Sequence, residues 1–266
     1  MANLVTNMIT LSGDDQTLGR VISRLTDADP GPLLAGVRSN PGVPVWVRAE
    51  PWRGVPEPEV IAATKDGVMV DLGLAALSRD GVDHLRLKQD RDPFLSQMPP
   101  EFGETADSLL RKMGVQELRG EALHAAVEAR APGSIDAGRS AILAYEATGE
   151  FGWYDWRMLN WGARAFGEEL RVEGGADGSV SVRFDSVNSC PVPLICALLG
   201  VGPDLQLSGA AIEEDTRFSL FLVSDGTELL ISEGEGEEDL GRAYRIVYGR
   251  DPDEEEPEVD DEDPQP

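Results

Sequence analysis

The chain has 266 residues, 41% of them apolar and 27% charged, a length that suits one elaborate domain or two small ones with a core that needs no staple. Its 49 acidic and 23 basic residues leave a net charge of −26, a field that repels nucleic acid and anionic lipid and attracts basic protein surfaces. No apolar run approaches the roughly 18 residues of a membrane span, and the start, MANLVTNMIT, lacks a basic region followed by a long apolar stretch, so a cytoplasmic location without membrane attachment is expected.

In chain order, Leu4 to Gly13 places Val5, Ile9 and Leu11 on one side of a period-two pattern, which predicts a strand stopped by Gly13. Asp14 or Asp15 then caps a predicted helix with Leu18, Val21, Ile22 and Leu25 on its apolar face, ended by Asp29-Pro30-Gly31-Pro32. The Pro- and Gly-rich stretch 33–92 contains strand-like pieces at Val43–Ala49, Gly67–Leu74 and His84–Lys88, joined by turns such as Lys65-Asp66-Gly67. It reads as an inserted β-rich layer, with His84 as a surface histidine lacking a second ligand nearby.

From Glu101 the period becomes helical over Thr105–Met113, Val115–Ala129 and Asp136–Thr148, with Val115, Leu118, Ala122 and Ala126 as the face of the second. Alternation returns in Glu169–Glu173 and Ser179–Asp185, strands that flank a Gly174–Gly178 hairpin loop. A short apolar helix at Val192–Leu199 is entered through prolines. Strands are then expected at Leu205–Ile212, Arg217–Val223, Glu228–Ser232 and Ala243–Tyr248. The expected fold is α+β, a ferredoxin-like β-α-β-β-α-β core spanning 1–232, with a long β-rich and helical insertion at about 28–150. Residues 233–266 form an acidic segment holding 15 acids and 3 bases, expected to be disordered from about 250 because it cannot bury enough apolar area to offset chain entropy.

The remainder of the chain still holds 34 acids and 20 bases, so the body is acidic as well as the tail. Solubility alone and acidic mimicry aimed at a basic partner both fit this charge. The only cysteines, Cys190 and Cys196, fit neither a disulfide framework nor a zinc site and read as structural thiols. Cys196 lies in the apolar run Leu194–Leu199, where it would act as a small hydrophobe.

Four stretches carry a resemblance. They are Asn7-Met8-Ile9-Thr10-Leu11-Ser12-Gly13 with its following helix; Pro93 to Phe102; Trp153-Tyr154-Asp155-Trp156-Arg157 with Asn160-Trp161-Gly162-Ala163-Arg164; and Val182 to Ser186 with Pro191-Val192-Pro193. Together they resemble the YubB-type ferredoxin-like domain family of plasmid and phage proteins, a domain of unknown function. The resemblance covers roughly 1–26 and 93–223 and implies a fold and a mobile-element ancestry, not a reaction. Two family aromatics are replaced, by Ala165 next to Phe166 and by Asn188.

The third block holds three of the five tryptophans and has two readings. As packing, its aromatics each remove roughly 150–250 Å² from water and would join the helical insertion to the sheet. As a binding site, Trp153, Tyr154, Trp156 and Trp161 form walls, with Arg157, Arg164 and Asn160 as polar contacts suited to a nucleobase, a phosphate or a carboxylate-bearing peptide. His124, placed in a predicted helix, and His84 have no activated nucleophile beside them, and the carboxylates form neither a metal-ligand spacing nor an acid/base pair. The expected function is therefore a non-catalytic, cofactor-free interaction protein that occupies a basic host or replicon protein. The alternative is nucleic-acid binding through the ferredoxin-like sheet and the Trp/Arg block.

Overall fold

The computed structural model describes residues 3–50, 55–64, 67–78, 82–91, 105–213 and 218–252. In chain order the elements are β1 (Leu4–Ser12), α1 (Asp15–Leu25), α2 (Pro30–Ser39), β2 (Val45–Arg48), α3 (Glu59–Ala62), α4 (Val68–Ser78), α5 (His84–Arg91), α6 (Ala106–Lys112), α7 (Gly120–Arg130), α8 (Ser134–Thr148), α9 (Trp153–Asn160), β3 (Glu169–Gly174), β4 (Val180–Val187), α10 (Val192–Leu199), β5 (Gln206–Glu213), β6 (Phe218–Ser224), β7 (Leu229–Glu233) and α11 (Gly236–Tyr248). Two compact units result, one formed by Met1–Gly54 with Ala165–Pro266, the other by Val55–Arg164.

The first unit is a seven-stranded sheet in the order β2-β3-β4-β1-β5-β6-β7, every neighbouring pair antiparallel. Strand β1 sits inside it because its two neighbours take both of its edges, Ile9 opposite Val182 on one side and Gly209 on the other. Val5, Ile9 and Leu11 are buried on one face, as their period-two spacing predicts. Val180, Val182 and Phe184 of β4 continue that core, to which α1 contributes Leu18, Val21, Ile22 and Leu25 and α10 contributes Leu194, Ile195 and Leu198. On the opposite face Met8, Ala210, Ile212 and Phe221 pack against Ala243, Val247 and Leu240 of α11.

Asp14 caps α1 by accepting from Thr17 N at 2.8 Å, and that bond holds its carboxyl below the usual range. The cluster Asp29-Pro30-Gly31-Pro32, expected to end α1, instead opens α2: Asp29 accepts from Gly31 N and Pro30 takes the first helical position. Proline fits there because its missing N–H has no acceptor in the first turn. The C-terminal segment Ala243–Tyr248, expected as a strand, is the end of α11, whose first turn carries Glu237, Glu238 and Asp239 where the helix dipole favours negative charge. The β3–β4 hairpin lies where expected, and Asp177 accepts from Ser179 N in its turn.

The second unit corrects the expected β-rich layer. Of its three strand-like pieces only Val43–Ala49 yields a strand, β2, and by pairing with β3 it joins the sheet of the first unit. Gly67–Leu74 and His84–Lys88 are helical, within α4 and α5. Helix α4 buries Val70, Leu72, Gly73, Leu74, Ala75 and Ala76, and a helix buried on most of its sides, with Asp71 its one charged residue, has no narrow stripe to mark its period. In α5 the alternation of Leu85 and Leu87 with charged neighbours imitates a strand, and His84 is its half-buried first residue. The expected Val115–Ala129 helix begins only at Gly120 and buries Leu123 and Val127, leaving Ala122 exposed and Leu118 partly so. Helices α6 and α8 match expectation. The Pro93–Phe102 block, Lys65-Asp66 and the tail from 253 lie outside the described residues.

Helices α4 and α8 meet backbone to backbone at Gly73 and Gly138. A Cβ on Gly73 would lie 2.0 Å from Ser134 O, and one on Gly138 would lie 2.6 Å from the Gly73 carbonyl carbon. Around this crossing Leu74, Leu85, Leu110, Leu123, Val127, Ala141 and Phe151 form the unit's core. Gly73→Ala must push the helices apart and is expected to lower stability by about 3 kcal/mol; Gly36→Ala, an exposed position with open space around it, is the control, and urea unfolding of both variants measures the difference.

Candidate functional site

The tryptophan block lies in the second unit and is organised by α9. Gly152 is extended before the helix, and Trp153 N donates to the buried Thr64 Oγ1 at 3.0 Å. Helical spacing then brings Trp153, Arg157 and Trp161 onto one side, because residues four apart stack on a helix surface. The Arg157 guanidinium lies 4.8 Å from the Trp153 ring centroid and 4.9 Å from that of Trp161. In its plane it is clamped by Glu57: Nε and the terminal nitrogen each donate to one carboxylate oxygen, both at 2.9 Å. Its other terminal nitrogen donates to Arg164 O at 3.4 Å.

The remaining tryptophans are held as firmly. Trp161 Nε1 donates to Val55 O at 2.7 Å, and Trp156 meets Trp161 edge to face at 5.8 Å. Trp156 and Trp161 are buried. Asn160 Nδ2 turns back to Trp156 O, capping its own helix. The groups of the block that face outward are Tyr154, Leu159 and Arg164, with the Arg164 guanidinium 5.6 Å from the Trp153 ring.

Chemically this is a cation held between two aromatic faces and satisfied by a bidentate carboxylate. An anionic ligand at Arg157 would have to displace Glu57, whose side chain is only 11% exposed; among the candidate residues, Tyr154 and Arg164 are the exposed ones. Glu57 escapes sequence reasoning because it stands 100 positions from Arg157; its one local mark is a setting between Pro56 and Pro58.

Clefts open elsewhere. In the first unit a cleft of about 480 Å³ lies between α1 and α2, lined by Gln16, Gly19, Arg20, Leu34 and Arg38, where Arg38 pairs with Asp15. A second, of about 560 Å³, is lined by Cys196, Val201, Pro203, Gly226 and Leu229. In the second unit a hollow of about 310 Å³ is lined by His124, Glu128 and Arg139. None of the three is lined by the tryptophan block. Among the described residues, no three His, Cys, Asp or Glu side chains converge as metal ligands, and no helix is long and apolar enough to cross a membrane.

The first unit also carries a row that periodicity alone does not assemble. On the sheet face away from α1 and α10, Trp46 pairs with Arg171, Arg171 with Arg183, and Arg183 with Met8. Trp46 is exposed and the Arg183 guanidinium lies 4.5 Å from the Tyr248 ring. Arg171 also pairs with Glu173 at 3.1 Å, and Glu169, opposite Arg48, and Asp185 share the same face.

No family model and no curated protein matches the chain. Among solved structures it is similar to the crystal structure of protein api92 from Yersinia pseudotuberculosis, of the family DUF1281, a protein of unknown function; identity is 12%, the match covers 89% of this chain and 99% of that one, and the TM-score is 0.37.

The thiols correct one expectation: Cys190 is buried but Cys196 is exposed, because Leu194, Ile195 and Leu198 turn inward from α10 and carry Cys196 to the outer side. Burial pushes the Cys190 thiol up to about 12, so at pH 8 alkylation should mark Cys196 alone, with Cys190 reacting only after denaturation, as peptide mass spectrometry will read. Arg157→Ala leaves the Glu57 carboxylate without its fork and is expected to cost about 2 kcal/mol, the range for a half-buried pair. Arg157→Lys should recover only part of that, since an ammonium cannot make the bidentate contact; urea titration followed by tryptophan fluorescence checks both.

Proposed function

We propose that the chain is a non-catalytic, cytoplasmic binding protein that engages a basic protein partner through its acidic surface. The observation that carries this reading is the disposition of charge. Arg38, Lys88, Arg91, Arg157, Arg171 and Arg245 each pair with a carboxylate of the same chain, while Glu117, Glu121, Glu168, Glu228, Glu233 and Glu237 are among the exposed acids of a chain with 49 acids and 23 bases. Such a surface speeds encounter with cationic partners and disfavours polyanions. The YubB-type assignment, with its plasmid or phage origin, rests on the sequence blocks quoted above. The ferredoxin-like reading of the core is supported by the partial order β3-β4-β1-β5, with α1 following β1 and α10 joining β4 to β5.

A second reading, nucleic-acid binding on the sheet, is favoured by the Trp46–Arg171–Arg183 row, since aromatic and guanidinium groups on an open sheet suit stacked bases and phosphates. Against it, Glu169, Glu173 and Asp185 balance the arginines on that face.

The two readings part in one titration of the full chain with a labelled Lys/Arg-rich peptide and with single-stranded DNA and RNA. The expected outcome is saturable binding of the peptide that weakens at least about tenfold between about 50 and 200 mM salt, with no oligonucleotide binding at the higher value. Oligonucleotide binding at about 200 mM salt that Arg171→Ala or Arg183→Ala removes would overturn the proposal in favour of the second reading.

A further inference from the structure

We infer that the outer edge of β7 is the docking site for an extended segment of the partner, which adds to the sheet as an eighth strand and carries basic side chains alternating with apolar ones. The inference rests on the basic-partner reading above and names where that partner sits.

Strand β7 is the last of the sheet, paired with β6 on one side. An edge strand presents alternate backbone N–H and C=O groups outward, and proteins blunt such edges with lysine, proline, bulges or very short strands. The opposite edge is blunted in this way: β2 has four residues, follows Pro44 and ends in Arg48. Strand β7, Leu-Leu-Ile-Ser-Glu, has neither lysine nor proline. Its exposed side chains are apolar at the centre, Leu230 at 61% and Ile231 at 44% exposure, and Leu230 adjoins its cross-strand partner Val223, also exposed. Because successive residues face opposite sides, Leu230 and Ile231 offer an apolar contact on each face to an incoming strand. The cleft of about 560 Å³ beside Leu229 leaves room for a side chain at the end of that strand.

Charge complementarity decides the occupant. Asp225, Glu228, Glu233, Glu235, Glu237 and Glu238 flank β7 in the chain and are all exposed, and no lysine or arginine occurs between Arg217 and Arg242; the nearest described cation in the chain, Arg242, packs on Phe221 beside Ser232 and pairs with Asp239. A second copy of this chain would bring the same acids and a further −26 to the same place, which opposes self-pairing. A strand with lysine or arginine among apolar residues satisfies the backbone edge, the Leu230–Ile231 contacts and the carboxylates together, the mode by which sheet edges take up peptides.

The test uses the full chain and two synthetic peptides of about nine residues with the same composition, one alternating Ile with Lys, the other with the two types in separate blocks. The alternating peptide is expected to bind at least about tenfold more tightly and to protect the amides of 229–233 from hydrogen exchange. Leu230→Lys, a change at a solvent-facing position, should weaken it at least about tenfold. Glu228→Gln with Glu233→Gln, which leaves the apolar edge intact, should flatten its salt dependence. Equal affinity for both peptides without amide protection, or unchanged binding by Leu230→Lys, overturns the edge assignment while leaving the basic-partner reading standing. Failure of both peptides to bind at low salt overturns both readings. Protection of 229–233 in the chain alone that grows with its concentration overturns the assignment in favour of self-pairing.

Discussion

The first unit depends on one constraint: β1 has neighbours on both edges and packing on both faces. A strand so placed must satisfy every backbone group through β4 and β5, and its side chains must suit α1 and α10 on one face and α11 on the other. Asn7 marks how tight this is. It is fully buried, and its amide donates to Val5 O, Phe184 O and Ser186 Oγ, tying β1 to β4 through a side chain as well as through the ladder. The sheet grows outward from this strand in both directions, so whatever remains unsatisfied accumulates at its two ends. One end is short and follows a proline. The other is apolar and ringed by acids, which is why a docking edge and an acidic surface coincide.

The second unit depends on a different economy of space. Gly73 and Gly138 let two helix backbones touch, and side chains fill the flanks of the crossing. Arg157 works in the same unit by another principle. A guanidinium is flat, weakly hydrated and able to fork, so it can lie between Trp153 and Trp161 while both its in-plane donors meet Glu57. The charge is thereby made part of the packing. As a polar contact of a binding site Arg157 would need its fork free, and as part of the packing it would need a carboxylate in it. In the structure the Glu57 carboxylate occupies that fork.

Electrostatics links the fold to the function proposed. Arginines and lysines are drawn into pairs within the chain, and the carboxylates that remain give the surface its sign. On the face of Trp46, Arg171 and Arg183, Arg171 pairs with Glu173 and the neighbouring acids keep that face balanced rather than basic.

Much of this was legible in the sequence. Period-two alternation marked β1, β3 and β4, and three-to-four spacing marked α1, α6 and α8; helix α9 went unmarked, although the spacing of Trp153, Arg157 and Trp161 suits one helical side. In β3, β4 and helices such as α1 the signal survives because one face lies in the core and the other is more exposed, and burial then prints its period on the residues. Where that condition fails, the sequence misleads: α4 is buried on most of its sides, α5 alternates charge with leucine, and the proline cluster at 29–32 opens a helix while looking like a stop. Partners distant in the chain were decided only by the tertiary structure. Glu57 meets Arg157, Gly73 meets Gly138, and β2 joins β3 across more than a hundred residues, because backbone geometry and packing choose such pairs among many chemically equal candidates, and no local period records the choice.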